Sequence, residues 1–392
     1  MTLPALADLT DIEGARVLTR LDLNVPVADG VVQDDTRIVA ALPTLEWLAD
    51  RASVIAACSH LGKAKGKPDP AFSLAPVAPV LERLLGRPVL FVGDCLEADV
   101  RDREPGTILL LEHLRFYPGE KADDEGFATD LTQGCTHYVN DAFGTAHREH
   151  ASVSAAPRLF APGKKAAGLL MEREVAALAR VVSRPEQPFV AVVGGAKIST
   201  KTEPLEALLD RVRTLLIGGG MANTFLKARG HGIGRSLVED EMLETAVTVM
   251  DEASNRGIEL LLPTDVVATD DLENPTRVEV VAAEAIPDDS MVVDLGPESR
   301  RRYAAAIGGA RTVFWNGPMG VFEIDAFAGG TLAVAEAMAR CDGFTVVGGG
   351  ESVMAIRRAG VVDRIDHVST GGGASLSFLT GDLLPALAAL ED

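Results

Sequence analysis

Four glycine turns stand directly behind apolar runs in the second half of the chain: PFVAVVGGAK (188–197), RTLLIGGG (213–220), FTVVGGG (344–350) and HVSTGGG (367–373). A glycine turn that opens a helix offers N–H groups and a positive dipole end to phosphate oxygens. A single such turn is equally well explained by close packing of a helix on a strand. Four of them in one half point to a phosphate-bearing ligand. Lys197 and Lys201 follow the first turn four residues apart, which in a helical turn places both on one face. At a helix start the dipole disfavours cations, so this pair asks for an anionic partner. Behind the third turn comes Glu351, a carboxylate where phosphate is expected, and its presence needs a separate reason.

The first half offers side chains instead of amides. Asp22 and Asn24, His60 and Lys63, Arg115, and the stretch VNDAFGTAHREH (139–150) all follow β-rich runs. Most of the charged ones are cations, which suits a small anion. SHLGKAKGKP (59–68) would pass for a solvated basic loop, but its place behind ASVIAAC favours ligand binding. Asn140-Asp141 ahead of Gly144 reads as a tight turn that carries Arg148 toward that anion. His147 and His150 lack a third ligand at metal-site spacing. There is no GxSxG nucleophile elbow, no GxxxxGK[ST] loop, and GGGMANTF does not complete GxGxxG. Direct transfer between two bound anions fits this inventory better than covalent catalysis.

The elements that must position these groups alternate β-rich and helical patterns, the mark of βαβ units with mostly parallel sheets. RVLTRLDLN, ASVIAACSH, TILLLEHLRF and THYVNDAFG supply strands to one half; the four glycine-ended runs and TVFWNGP supply the other. Ligands of open α/β sheets bind at the carboxyl ends of strands, where all the candidates lie. LLMEREVAALARVV (169–182) reads as an amphipathic connector helix with Leu170, Val175, Leu178 and Val182 on one face, ended by Pro185 and Pro188.

The chain has 392 residues, enough for two domains with separate cores. Its net charge of −20 argues against nucleic-acid or anionic-membrane partners. Four scattered cysteines without a CxxC pair read as reduced thiols. The acidic start MTLPALADLTDIEG has no long apolar core, so no signal peptide is expected and a cytoplasmic location is. No apolar run reaches the roughly 18 residues that would span a bilayer.

The stretches RLDLNVP, DDTRI, SHLGK, EHLRFYPGE, NDAFGTAHR, GLLMERE, VVGGAKIS, IGGGMANTFLK, LPTDVV, WNGPMGVFE, VVGGGES and STGGGAS, in this order, closely resemble the phosphoglycerate kinase family over essentially the whole length. The resemblance implies two doubly wound, Rossmann-like α/β domains with mostly parallel sheets, joined by a connector helix and separated by a cleft. It implies a domain at 1–168 binding 3-phosphoglycerate and a connector at 169–183. A nucleotide domain at 184–376 and a segment at 377–392 returning to the first domain complete the arrangement. The implied reaction moves the acyl phosphate of 1,3-bisphosphoglycerate to Mg-ADP, giving 3-phosphoglycerate and ATP, in a monomer that closes about its hinge.

By the same resemblance, Asp22, Leu23 and Asn24 hold the glycerate end. Arg37, His60, Leu61, Gly62, Lys63, Arg115 and Arg148 surround the 3-phosphate and the reacting end, with Arg37 touching the transferring phosphoryl. Lys197 stabilises that group, and the turns ending at Gly350 and Gly373 aim helix starts at it. Lys201, Asn316, Glu323, Gly349, Gly350, Glu351 and Ser352 bind nucleotide, Glu323 through the ribose hydroxyls. The resemblance also supplies the reason for Glu351: it takes the Mg²⁺ that bridges the phosphates, an ion that usually keeps only one or two protein carboxylates. The family usually carries Asp at position 351, Arg at Lys63, Asp at Thr200 and Glu at Ser377. Lys63 keeps the charge without the bidentate fork. A non-catalytic nucleotide-binding protein of the same fold is the alternative, and a Rossmann-type dehydrogenase is disfavoured by the missing fingerprint.

Overall fold

Strands buried on both faces read as continuous apolar runs, and such runs build the two main sheets. The computed structural model describes residues 3–381 and 383–391. It divides into two compact units, Met1–Ala176 with Leu383–Asp392, and Ala177–Asp382. The sequence reading sets a connector at 169–183 and a returning segment at 377–392. The compact units divide after Ala176, inside that connector, and the helix Gly373–Leu379 lies within the second.

In the first unit six parallel strands run in the spatial order Val89–Val92, Thr107–Leu111, Val54–Cys58, Arg16–Leu21, His137–Asp141 and Lys165–Ala167. Register sets Arg20 beside both Cys58 and Asn140, and Leu21 beside Asp141. The residues after these strands, from Asp22, Ser59 and Ala142 onward, therefore emerge at one edge of the sheet. The helices Thr36–Ala49 and Val77–Leu85 cover it and bury Ile38, Leu45, Leu48, Val77 and Leu81. Gly86 ends the second of these in a left-handed conformation, φ 64°. The C-terminal helix Pro385–Glu391 belongs to this unit: Ala386 N–H donates to Ala146 O (3.1 Å), and Lys165 Nζ donates to Ala389 O (2.9 Å).

In the second unit six parallel strands run Glu259–Leu261, Thr214–Ile217, Phe189–Val193, Thr312–Asn316, Phe344–Gly348 and His367–Val368. In chain order this is 3-2-1-4-5-6, the doubly wound order with its switch point between Phe189–Val193 and Thr312–Asn316. Register pairs Val193 with Ile217 and Asn316, and Asn316 with Gly348. Glycine turns far apart in sequence thus lie side by side along one carboxyl edge. A three-stranded antiparallel sheet, Val278–Ala282, Asp265–Thr269 and Met291–Leu295, is an addition that periodicity does not announce. Its strand Met291–Leu295 packs on the helices Gly220–Ala228 and Gly329–Ala339.

The helix Leu169–Ser183 forms where expected and stops two residues before Pro185, but its buried face differs. Leu170, Met171, Glu174, Leu178 and Val181 are buried, while Val175 and Val182 are only half-buried. Leu170 and Leu178 are buried as apolarity indicates, but the stripe is shifted toward Met171 and Val181, with Glu174 at a core-facing position. The start of this helix is held by Asp141, whose Oδ1 accepts from Leu170 N–H (2.9 Å) and Met171 N–H (3.0 Å). Such a cap contributes about 1 kcal/mol. Burial pushes the Asp141 carboxyl up to about 6 despite these bonds. Asn140 and Asp141 therefore end a buried strand rather than form the expected tight turn, which begins two residues later at Phe143–Thr145. Among the described residues no helix is long and apolar enough to cross a membrane.

Candidate active site

In the first unit the strand ends converge on a pocket rich in cations. Asp22 is buried and ion-paired to Arg37. Gly144 makes room for that pair, since a Cβ there would lie 2.3 Å from Asp22 Oδ2. Leu23 N–H donates to Ser59 Oγ (2.9 Å), and Gly62 N–H donates to Asn24 Oδ1 (2.7 Å), which locks the loop after Val54–Cys58 against the loop after Arg16–Leu21. Leu61 N–H donates to His113 Nε2 (2.9 Å), and Arg115 Nη1 donates to Gly62 O (3.2 Å). His60 is buried, with Nδ1 3.2 Å from Nη2 of the fully buried Arg20. Lys63 and Arg148 are exposed.

The electrostatics of this pocket favour an anion. Burial and then the neighbouring Arg20 bring the Arg115 guanidinium down to about 10. Burial, followed by Arg20 and Arg115, holds the His60 imidazole well below its ordinary value, so it is neutral near pH 7. Burial and then Arg148 and Arg115 lower His147 to about 4. The Nε of Arg115 is buried and has no hydrogen-bond acceptor. An orphaned buried donor costs about 1–3 kcal/mol, which an acceptor-rich ligand or a water would recover. Among the described residues no group of three or more His, Cys, Asp and Glu is placed to hold a metal.

In the second unit Lys201 occupies the switch point. Its Nζ donates to Gly194 O (2.5 Å), Asn316 Oδ1 (2.8 Å) and Asn316 O (3.2 Å), all uncharged acceptors. Gly317 has φ 94°, and a Cβ there would lie 2.6 Å from this ammonium, so the turn must be glycine. Burial lowers Lys201 to about 8, against an opposing pull from the carboxylate of Glu351.

Lys197 is exposed, and neither lysine is helical, because the helix begins only at Thr202. The expected shared helical face is therefore absent: one lysine is turned inward onto main-chain oxygens and the other outward.

Gly349 (φ 91°) approaches Asn316 so closely that a Cβ would meet its Nδ2 at 2.9 Å. Gly317 N–H donates to the Oγ of the buried Ser352 (2.7 Å), which joins the Asn316 and Gly349 turns. The helices Gly220–Ala228, Gly350–Arg358 and Gly373–Leu379 start at their glycine turns as anticipated. The GGAK turn is the exception, with six residues between Gly195 and Thr202. Beside these turns lies a cavity of about 210 Å³ with walls from Gly219, Leu237, Met319 and Val321. The exposed carboxylates of Glu323 and Glu351 also line it.

Sequence reasoning missed Asp294. It is buried, ion-paired to Arg300 Nη2 (2.8 Å), and accepts from Gly330 N–H (2.8 Å). Gly320 and Gly330 both press against it, as a Cβ on either would come within 2.5 Å of Asp294 Oδ1. It thereby holds the loop between Asn316 and Glu323. Its only sequence signal is an acid within an apolar strand, MVVDL.

The sequence model of the phosphoglycerate kinase family matches residues 6–382. The phosphoglycerate kinase of Moorella thermoacetica is 50% identical over 391 residues, covering 99% of this chain and 98% of that protein. That of Thermomicrobium roseum is 50% identical over 386 residues, with 97% and 98% covered. Among solved structures, the phosphoglycerate kinase of Coxiella burnetii superposes with a TM-score of 0.89 at 40% identity, covering 100% of this chain and 99% of that one. The enzyme of Pyrococcus horikoshii gives 0.86 at 31% identity, with 99% and 98% covered. With matches of this extent in sequence and in fold, the chain belongs to the phosphoglycerate kinase family.

Proposed function

We propose that this chain transfers the acyl phosphate of 1,3-bisphosphoglycerate to Mg-ADP, giving 3-phosphoglycerate and ATP. The observation that carries the reading is that one family member holds two unlike half-sites. One is a cation-rich pocket with an orphaned arginine donor, and the other is a glycine edge with a lysine at its switch point. The first suits a small phosphorylated carboxylate, with Asp22, Leu23 and Asn24 at the glycerate end. His60, Leu61, Gly62, Lys63, Arg115 and Arg148 lie toward its phosphate. The second suits a nucleotide. Its cavity of about 210 Å³ receives the base, with the ribose near Glu323 and the phosphates toward the glycine turns. Glu323 then accepts from ribose hydroxyls, while Asn316, Gly349, Gly350 and Ser352 shape the phosphate-binding edge.

Phosphoryl transfer asks little covalent chemistry of a protein. It asks for in-line positioning and for donors around oxygens that gain charge. Arg37 and Lys197 are the side chains assigned to the moving phosphoryl, with helix starts at Gly350 and Gly373 adding N–H donors. Lys201 exchanges its neutral oxygen acceptors for nucleotide phosphate, a stronger partner because it is itself charged. The donor set fits Mg²⁺: with Glu323 assigned to the ribose, the exposed carboxylate of Glu351 suits an ion that otherwise takes water and phosphate oxygens. When bound, the ion neutralises charge on the nucleotide phosphates. Direct transfer needs the two bound anions to meet, so the helix Leu169–Ser183, which passes from one unit to the other, is the proposed hinge. Closure also removes water from a hydrolysable acyl phosphate. The enzyme acts as a cytoplasmic monomer on this reading. A coupled assay for ATP formation tests it. Nucleotide binding without turnover would leave only a nucleotide-binding protein of the same fold.

A further inference from the structure

Glu239 belongs to none of the motifs used above, yet it is 6% exposed and turned into the loop that carries Lys197. Its Oε2 accepts from Ile198 N–H (2.6 Å) and Ser199 N–H (3.2 Å), and its Oε1 accepts from Ser199 Oγ (2.5 Å). Its own N–H donates to Thr224 Oγ1 (3.2 Å), and Asn223 Nδ2 donates to Leu237 O (3.1 Å). The segment is thus anchored to the helix Gly220–Ala228, which begins at a neighbouring glycine turn. Burial pushes the Glu239 carboxyl up, but the Ser199 hydroxyl, the two amides and Lys197 together bring it below its ordinary value.

Two successive N–H groups converging on one carboxylate copy the way a turn grips a phosphate. Here the grip is filled from within the chain, so these amides are taken and cannot serve the ligand. What remains outward from the turn is the exposed Lys197. The turn has no helical hydrogen bonds to stiffen it. Lys201 N–H to Ile198 O (2.7 Å), Thr200 Oγ1 to Lys197 O (3.1 Å) and Thr202 Oγ1 to Ile198 O (3.3 Å) are further local ties.

We propose that Glu239 is the positioning residue for Lys197: by clamping the Ile198–Ser199 amides to the helix Gly220–Ala228, it holds the lysine where the transferring phosphoryl forms. This rests on the reading of Lys197 as the group that stabilises that phosphoryl. A displacement of about 1 Å at such a group can cost about a hundredfold in rate. Glu239→Ala removes all three of these hydrogen bonds. It should lower kcat by about tenfold or more while KM for each substrate stays within about twofold. Glu239→Gln keeps an oxygen for the two amides and should recover most of the loss.

The decisive comparison is a double-mutant cycle. In a Lys197→Ala background, Glu239→Ala should cause no further fall in kcat. Additive losses would overturn the proposal. If Glu239→Ala does not fold, Ser199→Ala removes one tie from an exposed position. It should lower kcat about threefold in the wild-type background and not at all in Lys197→Ala. Amide exchange gives a readout independent of turnover: Ile198 and Ser199 should exchange about tenfold or more faster in Glu239→Ala, or faster in Ser199→Ala. Unchanged exchange would refute the clamp whatever the activity. A wild-type chain that forms no ATP would instead refute the reading of the reaction, with the exchange result still deciding the clamp.

Discussion

Lys201 should make nucleotide use fall at alkaline pH. Burial brings its ammonium from 10.5 down to about 8, and the acceptors it holds in the free protein are neutral. The charged form, which a phosphate needs, is present below about 8 and is lost as the pH rises through that value. Because kcat/KM reports the free enzyme, it should stand about tenfold below its plateau at about pH 9 and lose about a further tenfold per pH unit. Bound phosphate favours the ammonium, so the fall in kcat should begin at higher pH. Glu351 pulls the Lys201 pKa upward, so Glu351→Gln should move the alkaline limb of kcat/KM to lower pH. Lys201→Arg, whose charge does not titrate in this range, should remove the limb even if the plateau drops. The assay is initial rate against Mg-ADP from about pH 7 to 9.5, with the coupling system kept in excess. A flat wild-type profile, or a Lys201→Arg variant that keeps the limb, would refute the reasoning.

Arg115→Ala and Arg148→Ala should weaken 3-phosphoglycerate binding by about 1.5–3 kcal/mol each and leave nucleotide affinity nearly unchanged; calorimetry with each ligand checks both halves of that statement. Lys197→Ala should depress kcat far more than either dissociation constant, and an intact kcat at saturation would reassign the lysine to ground-state binding. Glu351→Asp should keep most activity. Glu351→Gln should need more Mg²⁺ for half-maximal rate, and superimposable Mg²⁺ titrations would leave the carboxylate only a helix-start role of about 0.3–1 kcal/mol. Gly144→Ala would set a Cβ 2.3 Å from Asp22 Oδ2. It should cost about 1–3 kcal/mol in a thermal unfolding experiment and weaken 3-phosphoglycerate binding, whereas an unchanged Tm would show that the loop yields.

What the sequence made legible were features with one local cause. Apolar runs such as Phe189–Val193 and Val54–Cys58 are strands because burial on both faces leaves them no polar positions. The glycine at 349 is readable because positive φ and close approach both exclude a side chain there. Features made by register were not legible. Lys201 meets Asn316 across 115 positions of sequence, and only strand pairing at the switch point brings them together. For the same reason the spacing of Lys197 and Lys201 misled: four residues apart means a shared face only in a helix, and here the tie to Asn316 precedes the helix. Asp141 looked like a turn residue because its partners, the first amides of the helix Leu169–Ser183, lie about thirty positions ahead. The small sheet at 265–295 escaped notice because its edge strand Val278–Ala282 is mostly exposed and its patterning weak.

On the proposed reading the phosphoryl passes once and directly between two anions, with no enzyme nucleophile in between. Stereochemistry at phosphorus tests it most directly. ATP made chiral at the γ-phosphorus with oxygen isotopes would be reacted with 3-phosphoglycerate on the purified chain, and the configuration of the transferred group determined. One in-line displacement inverts the configuration, and inversion is the predicted result. Retention would mean two displacements through a phosphorylated side chain, and together with absence of transfer it is the outcome that would contradict the account.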